Sequence, residues 1–267
     1  MNMILKNIFK YILPNKLVIS LLPYIYIYQL YLSKIKYYLV GIKKDPYDIP
    51  IIINNFNRLS YLKELIKSLH NRGYYNIHIL DNNSTYPPLL EFYKLTNINV
   101  IYLKKNYGFK AVWESGVVKQ FWHSYYVYTD ADLRIDDKCP NDFMEHFLNL
   151  LDKYKNCYKV GFGLRIDDLP DYFKNKEDVI QHESKFWIKS VENDVYEAPI
   201  DTTFALYRPF TGSACNLFQQ NLRTGGAYVM QHLPWYIDSS NLSEEERYYV
   251  NNVLTPTHWS EKNQNKN

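Results

Sequence analysis

Tyr125-Tyr126-Val127-Tyr128-Thr129-Asp130-Ala131-Asp132 opens as a strand of aromatic and β-branched residues and closes on two carboxylates. In an extended chain, side chains two apart point to the same side, so Asp130 and Asp132 can face one divalent cation. Carboxylate oxygens are hard donors suited to Mn2+ or Mg2+, and a diphosphate can complete the shell. Carboxylates left unpaired at the end of a buried strand are costly, which favours a cation over an ordinary acidic turn. Further on, Asp136 and Asp137 read as a solvated turn.

Working outward from this stretch, strands and helices alternate. Upstream, Ile49 to Ile53 is a short β-branched strand. A helix follows with Leu62, Leu65, Ile66 and Leu69 on one face, Ser60 as its N-cap and Gly73 closing it. Asn76 to Leu80 is a second strand, ending at Asp81, and Val100 to Leu103 a third. Lys110 to Gln120 reads as a helix. Downstream, Pro140 opens a helix carrying Met144, Phe147, Leu148 and Leu151 on one face, and Lys159 to Leu164 is a strand. Tyr196 to Arg208 holds an extended segment, and Ser243 caps a helix to Val250 whose first turn, Glu244 to Glu246, reads as solvated. This alternation predicts an α/β fold: a mostly parallel central sheet flanked by helices. Such sheets bind ligands beyond the C-terminal ends of their strands. Asn54-Asn55-Phe56-Asn57-Arg58 and Asp81-Asn82-Asn83-Ser84 occupy such ends. There Phe56 either stacks on a flat base or packs in the core, and Asp81 either accepts from a base N–H or closes a turn.

The 267 residues suit one α/β domain plus a short extension. The net charge of +3 gives no reason to expect nucleic acid as a partner. The charge is unevenly placed: residues 1–44 hold seven lysines and no acidic residue. That segment also contains an apolar, Tyr-rich run from Leu17 to Leu32, shorter than a bilayer span and interrupted by Pro23 and Gln29. It reads either as an interfacial helix on an anionic membrane surface or as a helix packed on the body of the protein or on another subunit. Cys139, Cys157 and Cys215 match no metal spacing and read as reduced thiols. The expected divisions are a basic apolar segment over 1–45, a catalytic domain over 46–260 and a flexible polar tail over 261–267, in a cytoplasmic protein peripheral to a membrane.

Four segments together resemble the nucleotide-sugar-dependent glycosyltransferases of the GT-A fold, near family 2. They are Ile51 to Arg58, Ile79 to Ser84, Asn106-Tyr107-Gly108-Phe109-Lys110-Ala111 with Gly116, and Thr129 to Asp132. The resemblance implies a Rossmann-like sheet and metal-dependent sugar transfer from a nucleotide-diphosphate sugar, UDP-linked by expectation, to a glycan or glycoconjugate. It implies a nucleotide-sugar site of Asn55, Phe56, Arg58, Asp81, Asn106, Lys110 and Asp130, with Phe56 on the nucleobase and Asp81 at its edge. It implies Mn2+ or Mg2+ held by Asp132, with Asp130 at the ribose or a bridging water and a late histidine, His258, returning to the metal.

The C-terminal part departs from that pattern. Inverting members commonly carry a Glu-Asp pair at the start of a late helix; here stands Gly225 to Tyr236. Candidate general bases are Asp201 first, His232 second and Asp238 third, against a turn-forming Asp201 and a structural His232; Trp235 and Tyr236 either form an aromatic wall for an acceptor sugar or pack in the core. A nucleotidyltransferase would use a similar sheet and metal, but needs a Gly-rich loop after the first strand. No glycine lies between Gly41 and Gly73. A non-catalytic, membrane-recruited binding protein of the same fold is the other alternative, and the intact Asp130 and Asp132 argue against it.

Overall fold

Ile51, Ile52 and Ile53 are all fully buried, as a strand covered on both faces requires. The computed structural model that reveals this describes residues 15–40, 45–212, 220–238 and 240–253. In chain order the helices are α1 (Asn15–Val40), α2 (Ser60–His70), α3 (Pro87–Leu95), α4 (Ala111–Glu114), α5 (Phe143–Lys153), α6 (Lys176–Ser184) and α7 (Glu244–Asn252). The strands are β1 (Ile51–Asn55), β2 (Ile77–Asp81), β3 (Asn99–Tyr102), β4 (Tyr126–Asp130), β5 (Leu133–Ile135), β6 (Lys159–Leu164), β7 (Ser190–Glu192), β8 (Val195–Glu197), β9 (Ala205–Tyr207) and β10 (Asn221–His232).

One sheet holds them in the order β3-β2-β1-β4-β9-β6-β10-β8-β7, with β5 paired to β10. Strands β3, β2, β1 and β4 pair in parallel, as do β6 and β10. Between these two parallel blocks β9 is inserted antiparallel to both β4 and β6. The period of two sorts side chains between the faces. Ile51, Ile53 and Val127 join the layer of α2 and α5, where Leu65, Leu69, Phe143 and Phe147 pack. Ile52, Tyr126 and Tyr128 join the opposite layer with Ala111 and Val112 of α4. The fold is thus α/β with a mostly parallel central sheet, as the alternation predicted.

Several local expectations need correction. The helix expected from Lys110 to Gln120 is broken: Lys110 ends a 3-10 turn, and after α4 a left-handed Gly116, φ +81°, separates it from a second 3-10 turn over Val117–Gln120. The helix expected at Pro140 begins only at Phe143. Ser60 is the first helical residue rather than the cap, since the carboxylate of Glu245 accepts from the amides of Leu59 and Ser60 and from the Ser60 hydroxyl. Glu245 and Glu246 are therefore buried, not solvated. Asp136 is buried as well: it accepts from Arg165 at 2.7 Å and from the Lys138 amide at 2.9 Å. Its neighbour Asp137 is exposed. α1 runs 26 residues, straight through Pro23 and well past Leu32. No described helix is long and apolar enough to cross a membrane. Cys139 and Cys157 are buried free thiols; Cys215 lies outside the described residues.

Candidate functional site

The C-terminal ends of β1, β2 and β4 gather the polar residues named above. Asp130 ends β4 opposite Asn54 of β1. Its amide donates to the carbonyl of Thr202 at 3.0 Å, and its carboxylate accepts the Thr202 hydroxyl. The Thr202 segment is pinned from behind by Lys159, a fully buried lysine. Its ammonium donates to the carbonyls of Ile200 at 2.6 Å and Asp201 at 3.2 Å, and to Tyr207 Oη at 3.1 Å. Asp201, one residue before Thr202, is exposed. Burial raises the Asp130 pKa well above the usual carboxylate value, and Asp132 and Asp201 push the same way, against the hydrogen bonds from Thr202 and Asn54. Asp132 and Asp201 are thus both within electrostatic reach of Asp130.

Asp132 meets a histidine. β10 pairs antiparallel with β5, setting His232 opposite Leu133, and the Leu233 amide donates to the Asp132 carbonyl at 2.9 Å. His232 Nε2 lies 3.7 Å from Asp132 Oδ2. Burial holds the His232 pKa below the ordinary imidazole value, although Asp132 opposes this, and its buried Nδ1 has no hydrogen-bond partner. Hard carboxylate oxygens converging with a neutral imidazole fit a divalent cation. Among the described residues no group of three such side chains is close enough to hold a metal alone. His258 lies outside the described residues.

The loops after β1 and β2 are locked together. Asn57, with φ +53°, accepts through its side chain from the amides of Thr85 at 2.7 Å and Tyr86 at 2.9 Å. Asp81 is buried, accepting from the Ser84 amide at 3.1 Å and from Tyr93 Oη at 3.1 Å; Asn55 donates to that same Tyr93 oxygen at 2.9 Å. Burial raises the Asp81 pKa against these bonds. α7 lies across both loops. Beyond the Glu245 contacts, Glu246 pairs with buried Arg58, and Tyr248 donates to Thr85. The Tyr249 ring lies 3.6 Å from the Arg58 guanidinium and edge-on to Phe56 at 6.2 Å.

A family model described as glycosyl transferase family 2 matches residues 51–208, more than half of the chain. The chain belongs to glycosyl transferase family 2. The matched span runs from β1 through β9 and includes both loops and the Asp130–Asp132 pair. Among solved structures, this glycosyltransferase is similar to a crystal structure of GalNAc-T7 with UDP, GalNAc and Mn2+, at 12% identity and a TM-score of 0.45, over 70% of this chain and 44% of that one. It thus spans less than half of that protein's length. No curated protein matches it.

The remaining residues of this glycosyltransferase fall as follows. Asn106 accepts from the Gly108 amide at 2.7 Å, and Lys110 is exposed beside the Phe109 ring. Trp235 is 1% exposed and packs its ring 4.7 Å from His232, so its faces are already covered. Tyr236 is half-buried and donates to Asp168. Asp238 is exposed and accepts from Ser240 in a local turn. Thr202, Lys159 and Tyr249 were given no site role by the sequence. None carries a motif of its own, and each is drawn in by residues distant in the chain.

Proposed function

We propose that this glycosyltransferase moves a sugar from a nucleotide-diphosphate sugar, UDP-linked by preference, to a glycan or glycoconjugate acceptor in a reaction that depends on Mn2+ or Mg2+. The observation that carries the reading is the Asp130–Asp132 pair at the end of β4 with His232 3.7 Å from Asp132. Asp132 and His232 would hold the cation, with Asp130 beside them and His258 as a further ligand. When bound, the cation supplies positive charge that offsets the charge growing on a departing diphosphate. The chain's own residues do the rest. Phe56 and Asp81 bind the base, while Asn55 steadies Asp81 through Tyr93. Asn106 and Lys110 lie near the ribose and diphosphate, and Arg58, paired with Glu246, belongs to the same nucleotide-sugar site.

An inverting transfer needs a base for the acceptor hydroxyl, and Asp201 is the leading candidate. It is exposed, and its backbone is held by Lys159. His232 is engaged with Asp132, and Asp238 is occupied by its own turn. Tyr236 is the better placed of the two aromatics to meet an acceptor sugar. The chain works on the cytoplasmic side, peripheral to a membrane. The test is a screen of nucleotide-sugars for hydrolysis with and without Mn2+. Asp132→Asn should cut turnover at least ~10²-fold, in line with the loss of a principal charge-stabilising group. Undiminished hydrolysis by Asp132→Asn, or full activity in chelator, would defeat the metal assignment.

A further inference from the structure

α1 turns two unlike faces. Gln29, Leu30 and Ser33 are buried, and Leu30 packs with Tyr158. On the flanks, Lys34 donates to Asn156 at 2.9 Å, and Lys36 donates to the His123 carbonyl with its ammonium 5.0 Å from the Phe210 ring. With 3.6 residues per turn, Tyr24, Ile27, Tyr28 and Tyr31 at i, i+3, i+4 and i+7 form a stripe turned away from Gln29 and Ser33, its Ile27 and Tyr31 edge bordering the groove against Tyr158. They are 70%, 62%, 51% and 60% exposed, and Leu39 at 78% continues that side. Scattered surface apolar residues are normal, but a contiguous ridge of them marks a contact surface.

We propose that this ridge lies in the headgroup layer of an anionic membrane, with α1 parallel to the surface and its buried face carrying the catalytic domain. This deepens the peripheral placement above and is independent of the sugar chemistry. Three observations select a lipid surface. No described helix is long and apolar enough to cross a membrane. The ridge is mostly tyrosine, whose apolar ring and polar tip suit the membrane–water boundary. Residues 1–44 contain no acidic residue. With Lys34 and Lys36 turned to the domain, Lys6, Lys10, Lys16, Lys43 and Lys44 bracket the ridge in sequence. Anionic headgroups complement that charge.

The test is co-sedimentation of the full chain with phosphatidylglycerol-containing vesicles, against phosphatidylcholine alone, at low and raised salt. Binding should need the anionic lipid and weaken with salt. The variant Tyr24→Ser/Tyr28→Ser/Tyr31→Ser changes only exposed side chains. It should lose at least about tenfold in vesicle binding while keeping its melting temperature and its donor hydrolysis in solution. Lys43→Glu/Lys44→Glu should lose binding too, through charge alone. The proposal is overturned if the parent ignores anionic vesicles or if the tyrosine variant binds as well as the parent. It is equally overturned if the parent dimerises through the ridge and the variant is monomeric with no vesicle binding in either. Because the readout is sedimentation, it stands or falls separately from any result on sugar transfer.

Discussion

At Asp130 a carboxylate is held by a hydroxyl from Thr202 and pressed by two other carboxylates, Asp132 and Asp201. That crowding separates the roles of neighbouring acids. Asp130 is tied into the structure, whereas Asp201 is exposed and can meet a substrate hydroxyl. Asp201→Asn should therefore lower transfer to an acceptor by at least ~10² while donor binding survives, the behaviour of a missing base. His232→Ala should instead weaken the Mn2+ dependence of donor hydrolysis, because His232 faces Asp132. Parallel assays of transfer, donor binding and Mn2+ titration on the two variants check this. Normal transfer by Asp201→Asn with loss of transfer by His232→Ala would exchange the two assignments. A retained anomeric configuration in the product would remove the need for a base at either position. The two aspartates of β4 were legible in the sequence because an extended chain aligns residues two apart. Thr202 and His232 were not recognisable as their partners, since only the pairing of β9 and β10 into the sheet brings them there.

At the scale of elements, α7 is where the sequence reading failed most instructively. Three consecutive glutamates at a helix start are ordinarily a solvated turn favoured by the helix dipole. Here two of them serve the segment after β1: Glu245 caps α2, and Glu246 neutralises Arg58 in the loop before it. Nothing in the local spacing announces a partner nearly two hundred residues away. The helix itself, with Ser243 as its cap, was legible because that signal is local. Glu246→Gln leaves the Arg58 charge buried without its counter-charge. Such a loss costs about 3–5 kcal/mol. The expected result is a clearly lower denaturant midpoint, and weaker nucleotide binding through the loops α7 covers. An unchanged midpoint would mean that α7 rests on the loops without holding them. A different contact accounts for Gly163 on β6: a Cβ there would come within 2.4 Å of the Trp187 ring, so the strand needs glycine to let that ring lie across it.

For the molecule as a whole, acid should act through Asp136. Burial pushes its pKa up, but the Lys138 amide and Arg165 more than offset this, and the net value is lowered. A carboxylate depressed in the folded state stabilises the fold above its unfolded pKa, near ~3.9, and loses that contribution as pH falls through the lower folded value. Asp136→Asn should be less stable than the parent near neutrality, with the gap closing in strong acid; a gap constant with pH would refute the linkage. The sheet's class was legible because buried parallel strands leave apolar runs. The insertion of β9 was not, since three buried residues, Ala205-Leu206-Tyr207, read alike in either direction. That insertion bears on synthesis. As the chain leaves the ribosome, β1 to β4 can pair among themselves, but the open edge of β4 waits for β9, and β6 emerges before β9 can join them. Until residue 207 is out, the nascent chain carries an unsealed apolar edge. A stall or truncation between β6 and β9 would leave a half-sheet prone to aggregate, and a chaperone would find its work there.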